Sequence, residues 1–284
     1  MKKKKIGIML DSSCDIDENE ARELDVHVLR MPIVIDGHEY LDSIDISSEE
    51  VSRLLGEGKL AKTSQATLGS LLEMYDRLLE EYEELIYIPL SSGLSGMYNT
   101  AFQYAKDEKY KGRIHVIDAK LACYPVITVV KDVKKMLDKG VSIEEIKAKL
   151  EDHSYLLAII IPHDINYLKM GGRISPAAAS LANLLKIVPI LTVKDGMIDV
   201  YDKVRTEKKA IKVGLEPIIA VDDKDKYRYM VIHDNRLEDA LALKAEMEAV
   251  LKTEVEIQKF GPVILSHAGP KTIAFGRIEK LVND

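Results

Sequence analysis

The sequence predicts an α/β fold in two parts, an N-terminal parallel-sheet α/β domain over residues 1–152 packed against a C-terminal α+β domain over residues 153–284. Three observations carry the division. Short apolar runs alternate with helical stretches through the first half, as a parallel sheet covered by helices requires. After residue 152 helices mix with a hairpin at Asp195-Gly196, the grammar of an α+β unit. No repeat, low-complexity tract or linker separates the halves, so they are expected to pack closely.

Ile6–Leu10 reads as a buried strand leading into the loop Asp11-Ser-Ser-Cys-Asp15. A strand over 26–35 and its partner from His38 flank Asp36-Gly37, a two-residue hairpin turn. Ser47 and Glu50 have capping-box spacing ahead of Val51, Leu54 and Leu55. Leu68, Leu71, Leu72, Tyr75, Leu78, Leu79 and Tyr82 keep helical spacing, which predicts a helix over 68–82. A strand over 85–90, a helix from about Ser95, a strand over 114–118, a helix through Leu137 and a helix capped by Ser142 and Glu145 complete the first part. The second part is predicted as a strand over 155–161, a helix ending at Gly171-Gly172 and another opening at Ser175-Pro176. The hairpin 188–204 follows, then a helix from Thr206, a strand over 229–233, a helix over 236–250 and strands over 255–258 and 263–265. That last strand leaves His267 in a loop.

Composition narrows the function. A formal charge of −7 over 284 residues argues against a nucleic-acid partner, whose phosphates need clustered cations. The basic run Lys2–Lys5 reads as a solvated tail. Two cysteines, Cys14 and Cys123, give no disulfide framework or metal-ligand spacing and suit a cytoplasmic, reducing compartment. The longest apolar run, Leu156–Ile161, falls far short of the roughly 20 residues that span a bilayer, so membrane contact is expected to be transient at most.

Familiar catalytic motifs fail on inspection. Gly56–Ala61 matches a permissive dinucleotide fingerprint but follows a helix rather than a strand. His267–Thr272 has Pro270 where a phosphate loop needs its second glycine. Gly93–Gly96 brings its second glycine one residue too early for a nucleophile elbow, and no two of the seven histidines stand four apart. What remains is polar stretches at element ends. Thr63-Ser-Gln-Ala-Thr67 precedes the helix over 68–82; Thr67 suits its N-cap, whereas Thr63 and Ser64 come one turn too early. Ser91-Ser-Gly-Leu-Ser-Gly-Met-Tyr98 joins a strand to a helix, and Ser95 there suits either a cap or a ligand donor. Arg173 follows two glycines beside a helix start, and His267 lies near the turn pair Gly269-Pro270. Hydroxyls at strand-to-helix turns, with an Arg and a His from the second part, suit a small anion, a carboxylate above all.

Four of these stretches, 63–67, 91–98, Leu168-Lys-Met-Gly-Gly-Arg-Ile-Ser175 and His267-Ala-Gly-Pro270, in this order and spacing, resemble the signature segments of the DegV family, and the resemblance covers essentially the whole chain. Those proteins are the fatty-acid-binding subunits of a bacterial two-component fatty acid kinase. The resemblance implies a Rossmann-like DegV domain, a second domain, and a buried tunnel between them for one long-chain fatty acid such as palmitate or oleate. By motif position Thr63, Ser64, Ser95, Arg173 and His267 would hold the carboxylate, with no cofactor and no catalysis in this chain. A separate kinase subunit would form the acyl phosphate, with Arg205 on the surface it meets and Lys271 at the rim. The chain departs from the family pattern at Ala66 and Met97, where Pro and Thr are usual, and at Lys271, which replaces a glycine continuation.

A buried tail contributes about 0.8 kcal/mol per methylene, so about fifteen methylenes give roughly 12 kcal/mol before ordering costs. Tunnel shape should therefore set chain selectivity, and the apolar positions of 180–188 and 68–82 are candidate walls. The alternative from another class is a small hydrolase or phosphotransferase using Ser95 with His267.

Overall fold

The computed structural model describes residues 3–152 and 155–282. Lys2, the residue that opens the expected second part (153) and the last two residues lie outside the described residues. Four parallel strands form the first sheet in the order β2-β1-β6-β7: β1 (Lys4–Asp11), β2 (His27–Leu29), β6 (Tyr82–Ile88) and β7 (Ile114–Val116). Its apolar runs end together, so the loops after β1, β6 and β7 share one carboxyl edge. Helix α1 (Glu18–Glu23) follows the first loop; α3 (Leu68–Glu81) packs on β6 and β2, and α4 (Met97–Tyr104) on β7. In α3 the buried set is Leu71, Tyr75, Leu78 and Leu79, the face its spacing predicts, and Thr67 caps it by accepting Ser70 N–H at 3.1 Å.

A small antiparallel sheet, β4-β3-β5, comprises β3 (Pro32–Ile35), β4 (His38–Leu41) and β5 (Ala61–Thr63), with α2 (Ser48–Gly56) between the last two. Residues 26–35 are therefore not one strand. Pro32 has no N–H to continue a ladder, and Met31 turns away to bond Ser12 Oγ at 3.0 Å, so β2 and β3 enter different sheets. The turn at Asp36-Gly37 has both residues at positive φ, 54° and 82°, as a tight hairpin needs. At α2 only half of the expected box forms: Ser47 Oγ accepts Glu50 N–H, while the Glu50 carboxylate goes to Arg53. Helices α5 (Pro125–Asp138) and α6 (Ile143–Leu150) follow, the latter with the full Ser142–Glu145 box.

The second sheet has six strands in the order β10-β9-β8-β13-β11-β12. These are β8 (Leu156–Ile161), β9 (Val188–Lys194), β10 (Met197–Val204), β11 (Tyr227–His233), β12 (Val255–Lys259) and β13 (Ile273–Glu279). All neighbours are antiparallel except β11 with β12. Helices α7 (Asn166–Gly171), α8 (Pro176–Leu181), α9 (Glu207–Ile219), α10 (Leu237–Leu251) and α11 (Pro262–Ala268) complete the chain. Two expectations fail here. Residues 263–265 are helical, within α11, so His267 stands in that helix's last turn rather than in a loop; a short apolar run does not separate strand from helix, and Pro262 at N1 is the cue for the helix. The strand β13 was not expected, although it is third from one edge; Gly276 breaks its apolar pattern because a Cβ there would collide with the Leu157 carbonyl.

Alternation on the second sheet separates two environments. Met230, Ile232, Ala274 and Ile278 join the core that continues into the first half. Tyr229, Val231, Ile273 and Phe275 face the other way, into a core with Ala210, Leu215, Leu243 and Met247 of α9 and α10. Polar ties also cross between the halves. Arg228 makes two bonds to the fully buried Asp132, at 2.8 and 2.6 Å, and Ser91 Oγ donates to the Gly196 carbonyl at 2.7 Å.

Candidate functional site

Between the carboxyl edge of the first sheet and the near face of the second lies a cavity with about 1070 Å³ of atom-free space, counted to its open mouth. Strand β8 shows why one wall is greasy. Leu156, Ala158 and Ile160 line the cavity, while Ile159 and Ile161 pack into the core behind the sheet. The uninterrupted run Leu156–Ile161 is thus apolar on both faces for two different reasons. Leu90, Leu94, Cys123 and Pro125 line the cavity from the first half, and Val263 and Ile264 from α11. The stretches 180–187 and 68–82 contribute nothing to it, and Val188 does not line it either, so the expected walls are ordinary core and surface.

All five candidate residues line this one cavity: Thr63 and Ser64 at the end of β5, Ser95 before α4, Arg173 after α7 and His267 in α11. Thr63 Oγ1 and His267 Nε2 are 2.6 Å apart. With the ring donating from Nε2, the threonine proton is free for an anion. The other ring nitrogen, Nδ1, faces Gly171 so closely that any Cβ there would overlap it, which explains the first glycine of Gly171-Gly172. The second, at φ +69°, ends α7 in the left-handed conformation. Arg173 donates to the Gly171 carbonyl, and among the described residues no carboxylate pairs with it. Burial and the adjacent Arg173 push the His267 pKa down to about 4, so the ring is neutral near pH 7.

The serine-rich loop divides its labour. Ser95 lines the cavity, and its Oγ accepts Met97 N–H at 3.1 Å, which leaves its own proton to donate. Ser91 is structural: it is fully buried and anchors the β9–β10 turn through Gly196. Gly93 is needed for the same contact, since its Cβ would sit 2.7 Å from the Gly196 oxygen. His267 spends Nε2 on Thr63 and turns Nδ1 to Gly171, so it is not hydrogen-bonded to Ser95 as a hydrolase or phosphotransferase pair would be.

Two polar wall residues escaped sequence reasoning. Gln65 lines the cavity and accepts from Thr100 Oγ1 at 3.1 Å. Lys120, at φ +53°, lines it beside the 3.2 Å pair its ammonium makes with Asp118 and the 2.7 Å bond to Ser92 Oγ. Gln65 sits inside the 63–67 stretch but was not singled out there, and no motif marks Lys120. Arg205 stands exposed just before α9, and Lys271 bonds Asp234 through its backbone N–H at 2.9 Å without lining the cavity. Unspent hydroxyls and a guanidinium without a carboxylate partner, at the end of an apolar chamber, make a site for a molecule with one acidic head and a long apolar body.

Comparison with known proteins places this architecture. A family model described as uncharacterised proteins of the DegV family matches residues 5–280. A DegV domain-containing protein of Streptococcus pneumoniae is 38% identical over 280 residues, covering 96% of this chain and 99% of the relative. Among solved structures, a DegV family protein of Thermus thermophilus described by its fatty acid binding superposes with a TM-score of 0.89 at 28% identity, covering 97% of this chain and 100% of that one. A fatty acid binding DegV family protein of Streptococcus agalactiae gives 0.86 at 29%, covering 97% and 99%. No described helix is long and apolar enough to cross a membrane. The chain belongs to the DegV family.

Proposed function

We propose that this protein binds one long-chain fatty acid in the cavity between its sheets and presents the carboxylate to a separate kinase subunit for acyl-phosphate formation, acting as a carrier without catalytic machinery of its own. The tail lies along Leu156, Ala158 and Ile160, and the head meets Thr63, Ser64, Ser95 and Arg173, with His267 orienting Thr63. The observation that carries the reading is Arg173, without a carboxylate partner among the described residues, beside a neutral His267 in a chamber lined mainly by apolar side chains. Fatty acid binding by the Thermus thermophilus and Streptococcus agalactiae relatives supports it. The kinase step is supported by the family resemblance.

Protein purified from a bacterial host should release close to one equivalent of fatty acid per chain on solvent extraction, measured by mass spectrometry. Adding a fatty acid kinase catalytic subunit and ATP to the loaded protein should yield acyl phosphate. Protein that is empty and does not take up palmitate or oleate contradicts the reading at its first step.

A further inference from the structure

The head-group residues have two sides. A second cavity, with about 700 Å³ of atom-free space, shares three lining residues with the lipid chamber, and they are Thr63, Arg173 and His267. These three side chains form the partition between an apolar chamber and a separate hollow. The hollow adds Lys62, and no Asp or Glu lines it. In a chain of net charge −7 that is a local excess of positive charge. Lys62 is exposed and, among the described residues, makes no ion pair. The other polar side chains of the hollow are already committed: Tyr167 donates to the Leu55 carbonyl at 3.0 Å and Ser266 to the Pro262 carbonyl at 2.8 Å. Among the described residues neither Lys62 nor Arg173 has a carboxylate partner.

We infer that this second cavity is a subsite for the phosphoryl group of an acyl phosphate, with Lys62 and Arg173 as its cations. The inference rests on the fatty-acid reading above and extends it to the product. An acyl phosphate has three parts: an apolar tail, a carbonyl neck and a doubly charged phosphate. The molecule offers three compartments in that order: the lipid chamber, the Thr63–Arg173–His267 partition, and the cationic hollow. A carboxylate oxygen held at the partition attacks the terminal phosphorus of a nucleoside triphosphate carried by the kinase subunit. The new C–O–P link forms as the bond to the departing nucleoside diphosphate breaks, and the transferred phosphoryl group comes to rest on the side away from the tail. Arg173 faces both compartments, so it serves the carboxylate before transfer and the phosphate after it.

Lys62 separates the two roles because it lines only the hollow. The test is isothermal titration of delipidated wild type and Lys62→Glu with palmitate and with 2-oxoheptadecylphosphonate, a hydrolysis-resistant analogue of palmitoyl phosphate. Wild type should bind the phosphonate at least as tightly as palmitate. Lys62→Glu should lose about tenfold or more on the phosphonate and about twofold or less on palmitate. Retained palmitate affinity also reports that the variant is folded. Palmitate binding with a phosphonate affinity indifferent to Lys62 overturns the subsite alone. Wild type that binds neither ligand overturns the fatty-acid reading and the subsite with it.

Discussion

Gly171→Ala is a one-methyl test of the head-group geometry. The added Cβ would lie closer to His267 Nδ1 than real Cβ atoms approach any neighbour, and 3.3 Å from both Cγ and Cε1. Its backbone φ is not in the left-handed region, so the effect is steric rather than conformational. The ring must retreat or rotate by about 1 Å to regain ordinary contact. A movement of that size is enough to disrupt the 2.6 Å Thr63 Oγ1–Nε2 hydrogen bond. Overpacking of this kind costs about 1–3 kcal/mol of stability. Losing the bond that orients the Thr63 hydroxyl costs about 1 kcal/mol in binding, roughly fivefold in Kd. Palmitate titration of the delipidated variant, with its melting temperature measured alongside, reads both quantities. A variant that melts and binds like wild type would show that His267 does not position Thr63.

Other perturbations follow from the same coordinates. His267 is held at a pKa of about 4 against 6.5 for a free histidine, so the fold prefers the neutral ring; the stability this confers is complete above about pH 6.5 and is lost as pH falls towards 4. His267→Gln should flatten that part of the melting temperature against pH profile, and an unchanged slope would contradict the assignment. Asp132→Ala removes both bonds from Arg228 and the one from Leu281 N–H and should cost about 3 kcal/mol or more in denaturant unfolding; a loss under about 1 kcal/mol would mean the pair contributes little. On β8, Ala158→Phe should leave a folded protein without extractable fatty acid, whereas Ile159→Ala should cost about 2–5 kcal/mol and leave lipid content per folded chain unchanged. Equal lipid content in the two variants would remove Ala158 from the wall.

The helices were legible wherever a cap and a periodic face coincide, as at Thr67 with Leu71, Tyr75 and Leu78, or at Ser175 with Pro176. Strand identity was less so. The closing strand β13 went unpredicted: Gly276 and Arg277 interrupt its apolar run, and the sheet contacts that accommodate them are distant in sequence. Polar stretches at element ends led to the five candidate residues, which share one cavity, but not to what divides them: Ser91, in the same loop as Ser95, is an anchor for a hairpin 105 residues away. The cavity wall on β8 was hidden for a physical reason. In Leu156–Ile161 a residue facing the apolar cavity and one facing protein core need the same apolar side chain, and only the sheet's neighbours distinguish Ala158 from Ile159. Gln65 lay inside the 63–67 stretch without being picked from it, and Lys120 carries no sequence signal because its position depends on contacts with Asp118 and Ser92.

A crystal structure of the protein grown with palmitate examines the core proposition in a single step. One continuous chain of density should run past Ala158 and Ile160, its carboxylate within hydrogen-bond reach of Thr63, Ser95 and Arg173. An empty chamber, or a tail buried head-first with its acid at Cys123 and Pro125, would contradict it.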